Sequence, residues 1–138
     1  MEGFAFSCAI QVRYSDVDAM NHVNNATTVS YLEVARVELW RERLDFTGSA
    51  RDLPFIVARV AVDFRSPIAL EDEVTVGVAV TRVGRTSFTF TYRIEASGRL
   101  AAEAETVLVH YDYALGKPAP IDASLRARLE ALRRPAAS

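Results

Sequence analysis

Residues 24–44, NNATTVSYLEVARVELWRERL, decide the fold. Val29, Leu32, Arg36, Leu39, Trp40 and Leu44 fall at helical spacing, and Ala26, Tyr31, Val34, Ala35 and Val37 widen the apolar surface beyond one stripe. Such a helix expects burial on most of its sides. At 1.5 Å per residue it is roughly 30 Å long, enough to lie across several strands. Asn24 or Asn25 supplies the N-cap, and Gly48 follows as a stop or turn residue.

Strand patterns flank this helix. Before it, Phe4, Phe6, Cys8, Ile10 and Val12 alternate with smaller or polar residues, which predicts a strand with one buried face. After Pro54, the run from Phe55 to Arg65 sets Ile56, Ala58, Val60, Val62 and Phe64 on one face, and Ser66-Pro67 breaks it. Val74, Val76, Val78 and Val80 repeat the alternation, as do Phe88, Phe90, Tyr92 and Ile94 beyond Gly84. The run from Ala101 to Tyr113 separates Val107, Val109, Tyr111 and Tyr113 from Leu108 and His110. Leu125, Leu129 and Leu132 mark a short terminal helix. The order β-α-β-β-β-β predicts one α+β domain over residues 1–138, an antiparallel sheet of about five strands curled around one long helix. Its open edges make side-by-side pairing of two copies, or a dimer of dimers, an economical way to satisfy backbone groups.

Composition removes other classes. The formal net charge of -2 arises from interspersed signs, without the basic stripe of a nucleic-acid binder. The lone Cys8 excludes an internal disulfide, and His22 and His110 supply too few soft ligands for a structural zinc site. A reduced, cytosolic setting is the expectation. No apolar run approaches the length of about 18 residues that a membrane span needs, and no export signal opens the chain.

The chemistry concentrates just ahead of the helix, in Arg13-Tyr14-Ser15-Asp16-Val17-Asp18-Ala19-Met20-Asn21-His22-Val23. A carboxylate placed there faces unpaired backbone N–H groups and the positive end of the helix dipole, which can hold developing negative charge. That is half of an acyl-transfer site. No serine-hydrolase elbow, phosphate-binding Gly-rich loop or dinucleotide fingerprint occurs in the chain. Read as a calcium loop, the same run has Asn21 where glycine is required and Thr27 where a bidentate Glu belongs.

Residues 12–25, followed by Tyr31-Leu32-Glu33-Val34-Ala35-Arg36, resemble the signature of hotdog-fold acyl-CoA thioesterases of the 4-hydroxybenzoyl-CoA thioesterase type. The likeness continues in Pro54-Phe55-Ile56-Val57-Ala58, in Asp63-Phe64-Arg65-Ser66-Pro67-Ile68 and in Gly84-Arg85-Thr86-Ser87-Phe88. It implies a hydrolase that cleaves an acyl-CoA thioester to a carboxylic acid and free CoA without metal or organic cofactor. By the same resemblance, Asp18 matches the catalytic carboxylate and the backbone N–H of Asn25 the oxyanion donor. His22, Asn24, Tyr31, Arg85 and Ser87 become candidate substrate contacts, the last two toward CoA phosphate or pantetheine. Asp18 attacks as a nucleophile or activates a water, and the pattern leaves both open. Asp16 takes the structural role. Asn21 stands where the family has glycine, and asparagine tolerates the left-handed backbone such a turn needs. Glu33 and Arg36 read as a structural or interface pair. The alternative function is a non-catalytic hotdog module that binds acyl-CoA or an acyl carrier.

Overall fold

The computed structural model describes residues 1–46, 48 and 53–134. The chain runs β1 (Phe6–Ile10), a short 3-10 turn (Tyr14–Asp16), α1 (Asn25–Arg43), β2 (Phe55–Phe64), β3 (Val74–Val83), β4 (Ser87–Ala96), β5 (Arg99–Asp112), β6 (Lys117–Pro118) and α2 (Ala123–Ala131). The long strands form one antiparallel sheet in the order β1-β3-β4-β5-β2, and β6 adds a two-residue sixth strand to the end of β5. The sheet curls around α1, the hotdog arrangement that the resemblance implies.

Alternation explains which face the sheet presents to α1. Val74, Val76, Val78 and Val80 of β3 lie opposite Ala96, Ile94, Tyr92 and Phe90 of β4, and all are buried. Phe6, Cys8 and Ile10 of β1 join the same face through Val78, Val76 and Val74. Leu32, Ala35, Leu39 and Trp40 of α1 pack onto it. Each fully buried aliphatic side chain contributes about 1.5–3 kcal/mol, so this layer supplies most of the driving force. Trp40 stacks on Phe55 at 4.9 Å between ring centres and meets Phe88 edge-on, tying the end of α1 to β2 and β4. Beyond α2, Leu132 and Arg134 bond Val80 where β1 has ended, extending cover along the edge of β3.

Four expectations change. Phe4 leaves the inner face and packs with Met1 against Gly77, under the Arg134 guanidinium at 4.8 Å. A Cβ at Gly77 would displace the end of the Met1 side chain and sit 3.0 Å from Phe4 Cγ, so glycine gives both side chains room over this strand position. In β2 a bulge between Val57 and Arg59 resets the alternation, so Phe55, Val57, Val60, Val62 and Phe64 share the helix side while Ile56 faces outward. α1 is buried on one side only, because it lies over β1 and β3; Val34 is 47% exposed. Finally, Arg36 forms no ion pair with Glu33. It turns inward and donates to the Tyr92 hydroxyl.

Candidate active site

A tight turn holds Asp18. The Asp18 amide donates to the His22 carbonyl at 2.9 Å and the Asn21 amide to the Asp18 carbonyl at 3.0 Å, flanked by an antiparallel bridge between Val17 and Val23. Asn21 closes the turn with φ at 57°, the left-handed geometry in which asparagine replaces glycine. Its side chain then ties the turn to the 69–72 loop, accepting from the Leu70 amide and donating to the Glu71 carboxylate, both at 3.2 Å.

Within this turn Asp18 Oδ1 accepts the His22 amide at 3.1 Å and the Met20 amide at 2.9 Å. These donations, His22 first, hold the Asp18 carboxyl below the usual carboxylate range. Among the described residues nothing donates to Oδ2, and the side chain is exposed. The result is an ionised carboxylate with one oxygen fixed by the backbone and the other available for chemistry.

Asp16 does different work. It is 3% exposed, and its Oδ2 receives the Tyr31 hydroxyl at 2.7 Å and the Arg13 amide at 2.9 Å. Burial raises its pKa, but the Arg13 amide, the Tyr31 hydroxyl and the Arg13 guanidinium outweigh burial and the net shift is downward. The Asp16 carbonyl also accepts the Asn24 amide at 3.1 Å. The loop is therefore bolted to the first turns of α1 at two points.

Asn24 is the N-cap, with its Oδ1 accepting the Ala26 amide at 2.8 Å. Asn25 is the first helical residue, and its amide has no acceptor among the described residues. It lies in a cleft of about 280 Å³ together with His22, Thr28, Phe64, Ser66, Pro67 and Ala102. The Val23 amide, donating to the Ile68 carbonyl at 2.7 Å, clamps the cleft's two walls together. An oxygen entering here meets a free N–H and the positive end of a 19-residue helix.

The structure thus brings His22 and Asn25 into one cleft, with Asn24 capping the adjoining helix and Asp18 joined to His22 by two hydrogen bonds, one between backbones and one from the His22 amide to the Asp18 carboxylate. Asp18 itself is not a lining residue. Tyr31 is buried, with its hydroxyl committed to Asp16. Arg85 and Ser87 are elsewhere: Ser87 pairs with Val109, whereas the cleft residue Phe64 pairs with Ala102. Seven strand residues separate those positions on β5, about 23 Å at 3.3 Å per residue. The sequence reading missed Thr28 and Ala102 as cleft residues. The Ser66-Pro67 break was the available signal for the wall after β2, since a strand that stops opposite a helix start leaves room for a cleft.

Comparison with known proteins gives one consistent picture. The model of the thioesterase-like superfamily matches residues 12–129. The chain is 31% identical over 129 residues to the acyl-CoA thioester hydrolase YbgC of Escherichia coli, covering 91% of this chain and 96% of that protein. It is 27% identical over 124 residues to the long-chain acyl-CoA thioesterase FadM of Escherichia coli, with 88% and 94% coverage. The crystal structure of a Thermus thermophilus thioesterase complexed with coenzyme A and zinc superimposes with a TM-score of 0.88 at 39% identity, over 99% of this chain and 100% of that one.

Proposed function

This chain belongs to the thioesterase-like superfamily, and from that premise we propose that it hydrolyses acyl-CoA thioesters to a carboxylic acid and free CoA. The observation that carries the proposal is the unbonded Asn25 amide, opening α1 inside a cleft beside the turn that keeps Asp18 ionised. A thioester carbonyl seated against that amide would place its developing oxyanion at the helix start, where a single donor is worth about 10²- to 10³-fold in rate. Asp18 Oδ2 then attacks the carbonyl carbon, the C–S bond breaks, and the CoA thiolate leaves to take a proton from water. Water hydrolyses the resulting mixed anhydride and restores the carboxylate. The alternative, in which Asp18 takes a proton from an attacking water, is served less well by a lowered pKa, because a base profits from one raised toward working pH. His22 and Asn24 set the loop and helix start against the substrate.

The site is shared between two copies. β2 is an edge strand whose side chains are largely exposed, with Ile56, Val57, Val60 and Phe64 all showing apolar surface. A two-fold axis at this edge pairs β2 with itself in antiparallel fashion. The end of β2 carrying Phe64 then meets the partner copy's opposite sheet end, where Arg85 and Ser87 lie. CoA contacts that one chain keeps about 23 Å from its own cleft are supplied by the other. No helix among the described residues is long and apolar enough to cross a membrane. A lone cysteine suits a reducing compartment, and we place the reaction in the cytosol.

A panel of short, medium, long and aryl acyl-CoAs, assayed for thiol release with wild type and Asp18→Asn, tests the proposal. Wild type turns over at least one class, and Asp18→Asn lowers kcat by about 10²- to 10⁴-fold. Tight acyl-CoA binding by wild type without thiol release would instead establish a binding module.

A further inference from the structure

In the turn between β3 and β4, which carries Arg85 and leads into Ser87, four consecutive carbonyls are held by donors of the protein. The Ser87 carbonyl accepts the Gly84 amide at 2.7 Å, closing the turn, and the Thr86 carbonyl accepts the His110 amide of β5 at 2.7 Å. The Arg85 carbonyl accepts the Ile121 amide at 2.9 Å, and the Gly84 carbonyl accepts Nη2 of Arg126 at 2.8 Å. The amides of Arg85 and Thr86, by contrast, have no acceptor among the described residues. The Arg85 side chain is exposed and enters none of the ion pairs among them. Two successive free backbone N–H groups beside an unpaired guanidinium are donors that a phosphate can use.

Three of the four donors are backbone amides, set by the course of the chain. Among the described residues Arg126 alone reaches these carbonyls with a side chain, and α2 gives it a firm mount. Asp122 Oδ1 caps that helix by accepting the Leu125 amide at 2.7 Å, the Arg126 amide donates to the Asp122 carbonyl at 2.9 Å, and Leu125 and Leu129 are buried in the core. The Arg126 side chain is half-buried and belongs to none of the ion pairs among the described residues. It spends a donor on a neutral carbonyl at the first residue of the turn. Gly84 has the widest choice of backbone angles, so a bond that pins its carbonyl fixes the direction in which Arg85 leaves the strand.

We infer that Arg126 is a positioning residue for CoA: from α2 it pins the Gly84 carbonyl and so holds Arg85 and Ser87 where the phosphates of the thiol carrier meet them. The inference rests on the reading of Arg85 and Ser87 as CoA contacts and adds the residue that sets them. Arg126 touches neither the reacting carbonyl nor Asp18. Its loss therefore weakens the hold on CoA and leaves the chemical step alone.

The test uses the full chain and the acyl group that wild type hydrolyses best, carried either on CoA or on N-acetylcysteamine, which keeps the thioester end of CoA and has no phosphate. Wild type is expected to show a kcat/KM at least about tenfold higher for the CoA thioester. Arg126→Met raises KM for that substrate by about tenfold with kcat within about twofold, and leaves kcat/KM for the truncated thioester within about twofold. In the free enzyme it also speeds hydrogen exchange of the Gly84 amide by about tenfold, because the turn is no longer pinned. Arg126→Lys, which keeps a donor of similar reach, recovers most of both effects. An equal loss on the two thioesters overturns the inference by assigning Arg126 to the fold. A raised KM with unchanged Gly84 exchange overturns it by making Arg126 a direct phosphate contact. Arg126→Gln, a milder change, carries the same comparison if Arg126→Met does not fold. Equal kcat/KM for the two thioesters in wild type sinks the CoA reading of Arg85 and Ser87 and this inference with it.

Discussion

Asp16 and Asp18 stand two positions apart and their surroundings give them opposite uses. The Asp16 carboxylate spends its oxygens on Arg13 and Tyr31 inside the protein, while Asp18 keeps one oxygen outside its turn. The structural place of Asp16 was legible in the sequence from its position, but the reason is the hydroxyl of Tyr31, fifteen residues away, which only folding brings to Asp16. The Asn25 amide gives the sharpest residue-scale prediction. Proline is well tolerated at the first helical position, and Asn24 already has the extended ψ of 141° that a residue before proline prefers. Asn25→Pro should therefore keep α1 intact while removing the N–H. Steady-state assays should show kcat lower by about 10²- to 10³-fold with an unchanged far-ultraviolet circular dichroism spectrum. Asn25→Ala, which retains the amide, should fall far less.

At the scale of elements, the cleft depends on how the loop from β2 to β3 is pinned. Asp72 accepts from Arg99 at 2.6 Å, from the Ala69 amide at 2.8 Å and from Ser97 at 2.9 Å. The Arg99 bond, ahead of the opposing effect of burial, draws its carboxyl from the ordinary 3.8 to about 2. A pKa depressed by folding means the native state favours the charged form. The stability it contributes is complete above 3.8 and is lost as pH falls through about 2. Thermal melts of wild type and Asp72→Asn should differ fully at neutral pH and converge between 3.8 and about 2. A gap that persists at the acid end would show that Asp72 acts through packing. Alternation placed every long strand correctly, yet it missed the bulge at Val57 and Arg59, because an extra residue leaves no mark on a pattern of apolar side chains that both faces can accept.

For the whole molecule, the exposed β2 edge is the feature that one chain leaves unfinished. Ile56 faces outward there, and a charge on a free strand edge discourages pairing. Sedimentation at micromolar concentration should find wild type as a dimer or tetramer. Ile56→Lys should weaken that assembly by about tenfold or more, with thiol release falling in step with the dimer fraction. A fully active Ile56→Lys monomer would contradict the shared site. The sequence by itself determined the period of every long element except β2, the helix start at Asn24 and Asn25, and the turn chemistry around Asp18, because these depend on residues close together in the chain. Only the tertiary structure decided that α1 lies mainly over β1 and β3 and meets β2 through Trp40 on Phe55, that Arg36 turns from Glu33 to Tyr92, and that Arg85 and Ser87 stand at the far end of the sheet. Those outcomes follow from strand order and register, which couple residues dozens of positions apart and leave no periodic trace in the sequence.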